Sequence, residues 1–229
     1  MSDLPAPASR ARAARLDEES IVAAAIALTE RDGTDGLTMR QLGAELGVDP
    51  TAVYRHFRNK RELLGAVAEH LFTRAQDELV ETADWRANLR ALLLAGRRLY
   101  RDRGGIAVEL ARQPEDTPAL TRATESFLRN LRLAGLHERD AALAYHACVE
   151  TIVGAGLMHA IAPYSHDARD AVRRTLAALP PESHPHAVAT ASYLYPDEGE
   201  VFAYTVELLL DSIELRAAQA AGQPKEEGR

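Results

Sequence analysis

Hydrophobic residues recur every three to four positions along most of the chain, which is the spacing of an amphipathic α-helix. Runs of alternating β-branched residues joined by hairpin turns, which are typical of strands, are absent. The pattern therefore predicts an all-α fold. Helices are expected over residues 17–31, 39–46, 50–57, 60–80, 84–103, 105–113, 117–134, 137–162, 167–179 and 200–220.

Capping residues divide the stretch after the first helix into two short helices and the start of a long one. Thr38 is expected to cap the first short helix, and Gly47 to end it in the left-handed conformation. Asp49 and Pro50 are expected to start the second short helix, and Asn59 to cap the long one. Two short helices joined by a tight glycine turn describe a helix-turn-helix, whose second helix lies in the major groove of DNA.

Composition and charge limit the compartment and the partners. The chain has 229 residues and a single cysteine, which excludes an internal disulfide and fits the reducing cytoplasm. No run of 18 apolar residues occurs, so no membrane contact is expected. The net charge is −7, yet residues 37–64 carry five Lys or Arg against three Asp or Glu. This asymmetry indicates a polyanionic partner near the N-terminal end.

A family resemblance appears in residues 37–64, which read LTMRQLGAELGVDPTAVYRHFRNKRELL. They closely resemble the DNA-binding motif of the tetracycline repressor (TetR/AcrR) family of bacterial regulators. Gly43 stands here for the usual alanine and Val53 for a leucine. Residues 184–214, HPHAVATASYLYPDEGEVFAYTVELLLDSIE, look like the end of a tetracycline-repressor-type regulatory domain. The resemblance implies a three-helix helix-turn-helix domain followed by a larger helical domain for ligand binding and dimerisation.

The resemblance also implies which residues contact DNA, position by position. Phosphate contacts would come from Thr38, Tyr54, His56 and Lys60. Base contacts would come from Arg40, Pro50, Thr51, Ala52 and Arg55. In this second group arginine suits a bidentate contact with guanine, threonine and alanine suit the methyl group of thymine, and proline offers only an apolar contact.

The chain is expected to divide into an arm and two domains. Residues 1–15 would be a disordered basic arm, residues 16–65 the DNA-binding domain and residues 66–229 the regulatory domain, with helix 60–80 linking the two domains. The basic residues of the arm would be either an ordinary solvated tail or a contact to the DNA backbone and minor groove. They are Arg10, Arg12 and Arg15.

The regulatory half contains candidates for a ligand site. The candidate residues are Trp85, Tyr100, Phe127, His146, Glu150 and Met158. His146 and Glu150 lie four positions apart and share a helix face. Because a buried acid needs a partner, these two residues are expected to face a pocket, a metal ion or a polar network at a dimer seam.

A dimer interface is expected on the last helix, helped by a glycine on an earlier helix that lets another helix approach. The expected interface residues are Gly154, Phe202, Val206, Leu209 and Ile213.

Other chemistries lack candidates in the sequence. His184 and His186 have no clustered third ligand, so no metal site is expected. A nucleophile elbow, a phosphate loop and a paired-carboxylate site are all absent, so the chain is not expected to be an enzyme or to hold a cofactor.

Together these features predict a cytoplasmic DNA-binding transcriptional regulator. It is expected to be a homodimeric repressor that binds an inverted-repeat operator in double-stranded DNA and is released by a small-molecule effector of unknown identity. The alternative from another class is a helical ligand-binding or protein-interaction bundle whose helix-turn-helix is vestigial.

Overall fold

A computed structural model describes residues 16–33, 36–102, 117–161 and 165–222, with the side chains of 159–161 left out. Every regular element in these residues is an α-helix, which confirms the predicted fold class. The predicted basic arm and the predicted helix over 105–113 lie outside the described residues. The helices are α1 (Glu18–Asp32), α2 (Met39–Leu46), α3 (Pro50–Tyr54), α4 (Lys60–Asp77), α5 (Trp85–Asp102), α6 (Pro118–Leu133), α7 (Glu138–Ile161), α8 (His166–Ala177), α9 (Pro185–Thr190) and α10 (Glu198–Gly222).

The first three helices and the start of α4 form a small packed unit. Ile21 of α1, Leu42 of α2, Val53 of α3 and Leu63 of α4 are all fully buried in one cluster. Gly47 has a φ of 67° and closes α2, as the sequence predicts. A five-residue helix such as α3 is too short to be stable alone, so this shared core is what holds it in place.

Helix boundaries depart from the predicted ones where a turn replaces the last helical residues. α3 ends at Tyr54 because the amides of His56 and Phe57 both bind the carbonyl oxygen of Val53, each at 3.0 Å. This turn carries Phe57 into the core, where it is 4% exposed. The sequence does not predict α9, because its only start signal is Pro185 in a segment rich in proline and histidine.

The larger unit is built on α5 and α7, which pack closely together. Gly156 makes this approach possible, since a Cβ atom at that position would lie 2.2 Å from the Cβ of Tyr100 on α5. α6 and the second half of α4 pack beside this pair. The result is a four-helix arrangement in which α4 belongs both to this unit and to the N-terminal one.

The last helix, α10, packs on α5 and α7 and is also tied to the start of α5 by ion pairs. Nε of Arg90 lies 2.7 Å from a Glu207 carboxylate oxygen, and Arg86 contacts the same carboxylate at 3.2 Å. These two guanidinium groups, Arg90 first, hold the pKa of Glu207 down at about 2. Because the pairs are partly exposed, they fix the position of α10 more than they add to stability.

One described helix is long and apolar enough to cross a membrane, judged by length and composition alone. It is α7, over Glu138–Met158. The chain has no unbroken run of 18 apolar residues, but α7 carries apolar residues on all its faces. Cys148 and Ile152 of α7 are buried against the rest of the chain, and a helix in a protein core meets the same criterion.

The thiol of Cys148 tests this packing. The side chain is fully buried, and burial raises the pKa of its thiol to about 12. Because only the thiolate reacts, we expect iodoacetamide at pH 8 to label the native protein more than about 100-fold more slowly than the urea-unfolded protein. Mass spectrometry of timed samples measures both rates. Equal rates would contradict the burial of this face of α7.

Candidate nucleic-acid interface and cavity

The start of α3 is built from three consecutive residues. The Asp49 carboxylate accepts a hydrogen bond from the Thr51 amide at 2.8 Å and another from the Thr51 hydroxyl at 2.7 Å. Pro50 occupies the first helical position, where no amide proton is needed. The hydroxyl bond, followed by the amide bond, lowers the pKa of Asp49. Since the Thr51 hydroxyl donates its proton to Asp49, Thr51 can offer a partner only an acceptor oxygen and a methyl group.

The start of α2 is capped in a similar way. The Thr38 hydroxyl oxygen accepts a hydrogen bond from the Gln41 amide at 3.1 Å and donates one to the Gln41 side-chain oxygen at 2.6 Å. Arg40 follows in the first turn and is exposed. The cap and the arginine thus stand together at the N-terminal end of α2.

The corner between α3 and α4 carries the aromatic and basic residues. Tyr54 is 50% exposed, Arg55 is exposed, and His56 is half-buried. Asn59 caps α4 through the Glu62 amide at 2.9 Å, so the half-buried Lys60 is the first residue of that helix. The predicted caps at all three helix starts are confirmed.

All nine residues predicted to contact DNA lie on α2 or at its N-terminal cap, on α3, or at this corner. Thr38, Arg40, Thr51, Tyr54 and Arg55 are exposed. Pro50, Ala52, His56 and Lys60 are half-buried. This set of nine residues is called the reading surface below. Its contact with DNA stays a prediction.

Gly43 supports the reading surface in a way that sequence reasoning missed. It is buried, and a Cβ atom there would lie 3.1 Å from the Val48 carbonyl oxygen and 3.2 Å from Pro50. The absence of a side chain therefore lets the start of α3 approach α2 closely. The only signal in the sequence was the departure from the usual alanine at this position.

A cavity of about 150 Å³ lies between α4, α5, α6 and α7. Its described lining contains no Asp, Glu, Lys, Arg or His, and its polar members are two tyrosines, one threonine and one glutamine. The lining residues are Phe72, Ala75, Gln76, Leu79, Leu92, Ala95, Gly96, Leu99, Tyr100, Leu120, Ala123, Thr124, Phe127, Tyr145, Val149, Ile152 and Val153.

Most of the polar groups in the cavity already have partners within the chain. The hydroxyls of Thr124 and Tyr145 lie 2.9 Å apart. The Gln76 amide nitrogen donates to the Ala119 carbonyl at 2.8 Å. The Tyr100 hydroxyl has no hydrogen-bond partner among the described residues, and burial raises its pKa to about 12, so it stays protonated and available as a donor.

Two of the six predicted ligand residues line this cavity and four do not. Tyr100 and Phe127 are lining residues. Trp85 begins α5, whereas Tyr100 is near its end. His146 and Glu150 are exposed, because the inward face of α7 is displaced by one position and is formed by Tyr145, Val149, Ile152 and Val153.

His146 and Glu150 are not paired with each other. Neither a hydrogen bond nor a salt bridge joins His146 to Glu150 in the described part of the chain. That part also contains no group of three or more residues suited to hold a metal ion. Glu150 and Met158 instead border a separate groove between α7 and α10.

The predicted dimer residues on α10 point into the chain itself. Phe202, Val206 and Ile213 are 1–3% exposed and Leu209 is half-buried, so this stripe packs on α5 and α7 and is not available to a partner. Gly154 does lie on an open face, since a Cβ atom there would have no neighbour within 4 Å. A second apolar stripe of α10 is exposed. It consists of Val201, Tyr204, Leu208 and Leu215.

The fold and these two sites define a class of protein: an all-helical chain with a helix-turn-helix unit at one end of α4 and an apolar cavity at the other. The model of the tetR family of bacterial regulatory proteins matches residues 21–67. The chain is 36% identical over 147 residues to the class D tetracycline repressor protein of Escherichia coli. The matched stretch covers 63% of this chain and 66% of that repressor, slightly under two thirds of its length.

Solved structures extend the likeness over most of the chain. A transcriptional regulator of Streptomyces coelicolor described as a TetR is 30% identical, with a TM-score of 0.77 over 87% of this chain and 98% of that one. Apo ActR, also from Streptomyces coelicolor, is 24% identical with a TM-score of 0.80 over 90% of this chain and 99% of its own, and shows the same fold. The chain belongs to the tetR family of bacterial regulatory proteins.

The Asp49 cap yields a prediction with a matched pair of variants. Asp49→Ala removes the acceptor that starts α3, so we expect its affinity for operator DNA to fall about 5-fold. Asp49→Asn keeps an acceptor oxygen and removes a negative charge near the DNA, so its affinity should equal or exceed that of the wild type. Fluorescence anisotropy with labelled DNA from upstream of the gene measures both. Equal losses in the two variants would show that the cap is not what positions α3.

Proposed function

We propose that the protein is a homodimeric transcriptional repressor that binds an inverted-repeat operator and leaves it when a small molecule occupies the cavity. The observation that carries this proposal is the reading surface, in which three capped helix starts present exposed polar and basic side chains in a helix-turn-helix. Family membership supports the same role, since several of the matched curated proteins are named as repressors.

The residues of the reading surface fall into two groups, one that would position the protein on the DNA backbone and one that would recognise bases. Thr38, Tyr54, His56 and Lys60 would contact phosphates, which fixes the register of the protein on the duplex. Arg40 would bind guanine, and the methyl group left on Thr51 would contact thymine. Because the Thr51 hydroxyl donates its hydrogen bond to Asp49, Thr51 would contact the base through its methyl group and its acceptor oxygen.

The dimer follows from the small size of one reading surface. A single five-residue α3 reaches only a few base pairs, and two copies related by a two-fold axis would double the contacts on half-sites about 34 Å apart. The exposed apolar stripe of α10 and the open side of α7 around Gly154 are surfaces that the described part of the chain leaves uncovered. They support a two-fold interface there.

The cavity supports a neutral, mainly apolar effector. No charged side chain is among its described lining residues, so an ionised ligand would lose its hydration without gaining an ion pair. The Tyr100 hydroxyl supports a hydrogen-bond acceptor on the effector. At about 150 Å³ the space matches a single aromatic ring, so a larger effector would have to push the helices apart.

Such a displacement would reach the DNA through α4. The Glu69 carboxylate of α4 accepts a hydrogen bond from the Ala119 amide at 2.8 Å, and Gln76 of α4 donates to the Ala119 carbonyl. The start of α6 is therefore fastened to α4 at two points. Lys60 lies about 24 Å from Gln76 along the same helix, so tilting α4 would move the reading surface, and a preference of a few kcal/mol would shift the population.

Phosphate contacts give the first prediction of this proposal. Lys60→Ala should weaken DNA binding about 10-fold and lower the slope of log affinity against log salt by about one. Tyr54→Ala should weaken binding with little change in that slope, because it removes no charge. Anisotropy titrations over a salt series measure both quantities. Arg139→Ala, which removes an exposed cation at the start of α7, is the control and should leave affinity unchanged. Wild-type affinity in both test variants would favour a protein that does not bind DNA through this surface.

The cavity gives the second prediction, using two single-ring probes of similar shape. We expect neutral p-cresol to bind and anionic p-toluenesulfonate to bind at least about 10-fold more weakly, since the anion finds no counter-charge. Saturation-transfer NMR detects both. Ala123→Trp fills the cavity and should abolish the p-cresol signal. Equal binding of the two probes would contradict a cavity selective for neutral ligands.

A further inference from the structure

Arg97 of α5 is a buried cation that finds no counter-ion among the described residues. The residue is 8% exposed, and its guanidinium carbon lies 5.1 Å from the centre of the Phe202 ring. None of the hydrogen bonds or salt bridges of the described residues involves its side chain. Attraction to the ring offsets part of the hydration that burial removes from the cation. The guanidinium nitrogens keep contact with solvent, so they can pair with an anion from another molecule.

Arg97 lies in the groove between α7 and α10, which has a volume of about 460 Å³. Glu150, Thr151 and Gly154 of α7 and Phe202 of α10 are among the other lining residues. The groove is separate from the apolar cavity, and the described linings of the two have no residue in common. The groove is open on one side, so another molecule can reach the guanidinium.

Glu150 is a carboxylate at this groove that has no partner in the described part of the chain. It is exposed and forms neither a hydrogen bond nor a salt bridge with any described residue, so it is not paired with Arg97 of its own chain within 4 Å. The other carboxylate in the described lining, Glu198, already contacts Arg169 at 3.5 Å. With respect to the described residues, the groove thus holds one unpaired cation and one unpaired anion.

The surface around the groove is suited to a second copy of this chain. One stripe of α7 is exposed, and the rest of the helix over 140–158 is buried or half-buried. The stripe contains Leu143, His146, Glu150, Gly154 and Met158. Leu143 and Met158 of α7 are each 55% exposed, and the exposed stripe of α10 continues this apolar area across the groove. Gly154 is the midpoint, because Glu150 and Met158 lie one turn to either side of it.

We infer that in the dimer the partner's Glu150 enters the groove and forms an ion pair with Arg97, and that the reciprocal pair forms on the other side of the two-fold axis. The inference rests on the dimer of the proposed function. Antiparallel crossing of the two α7 helices at Gly154 would set Glu150 against the partner's half of the groove. Each chain therefore supplies the counter-ion for a charged side chain of the other. The two ion pairs fix the register of the interface.

Charge reversal tests the pair with full-length chains. Arg97→Glu and Glu150→Arg should each weaken dimerisation at least about 30-fold in sedimentation equilibrium, because each leaves like charges opposed. The chain carrying both changes should recover to within about 10-fold of the wild type. Circular dichroism checks that each variant keeps its helix content.

Mixing the two single variants separates a pair between chains from a pair within one chain. In the mixed dimer the carboxylate introduced by Arg97→Glu faces the guanidinium introduced by Glu150→Arg. On the other side of the axis the unchanged Arg97 of one variant faces the unchanged Glu150 of the other. Native mass spectrometry should therefore show the heterodimer as the dominant species. Recovery in the double variant without a preference for the heterodimer would place the pair within one chain and overturn the inference.

A milder variant covers the case in which Arg97→Glu does not fold. Glu150→Gln changes an exposed side chain without a partner among the described residues, so folding is unaffected, and we expect dimerisation to weaken about 10-fold or more. Glu125→Gln, on the exposed face of α6, is the control and should behave as the wild type. A wild-type dimer constant for Glu150→Gln would overturn the pair and leave the proposed repressor dimer standing, whereas a monomeric wild-type protein would overturn the dimer itself.

Discussion

The continuity of α4 is the constraint on which the rest of the molecule depends. Its first turns, with Leu63, Leu64 and Val67, are buried in the core of the helix-turn-helix unit. Its later turns, with Phe72 and Gln76, line the cavity. Because the helix is unbroken between them, neither unit can move along α4 without the other. Because α4 is also hydrogen-bonded to the start of α6, the packing around the cavity helps to set the position of the reading surface.

The DNA-binding half could be predicted from the sequence because each helix start there has a local cause. Caps at Thr38, Asp49 and Asn59 act within three residues of themselves, and Gly47 acts on its own backbone. Local reasoning missed the role of Gly43, whose lack of a side chain lets Val48 and Pro50 pack closely against α2. A contact between two elements is not visible in the periodicity of either one.

The regulatory half was harder because α7 and α10 each carry more than one apolar stripe. Periodicity indicates that such a helix has an apolar side but cannot tell which stripe faces the same chain and which faces outward. For α10 the sequence pattern predicted an interface centred on Phe202, Val206 and Ile213, which are buried internally, whereas Tyr204 and Leu208 are exposed. On α7 the same uncertainty left three settings open for His146 and Glu150, namely a pocket, a metal ion or a dimer seam, and the structure places both side chains on the outside.

The uncharged lining of the cavity also bears on how the signal would reach the protein. A neutral, mainly apolar molecule that suits this lining suits the hydrocarbon interior of a lipid bilayer for the same reason, because neither environment repays the lost hydration of a charge. Such an effector would cross the cell envelope by passive diffusion, without a dedicated importer. The concentration that the protein senses would then follow the concentration outside the cell, and it would report on compounds that arrive unassisted.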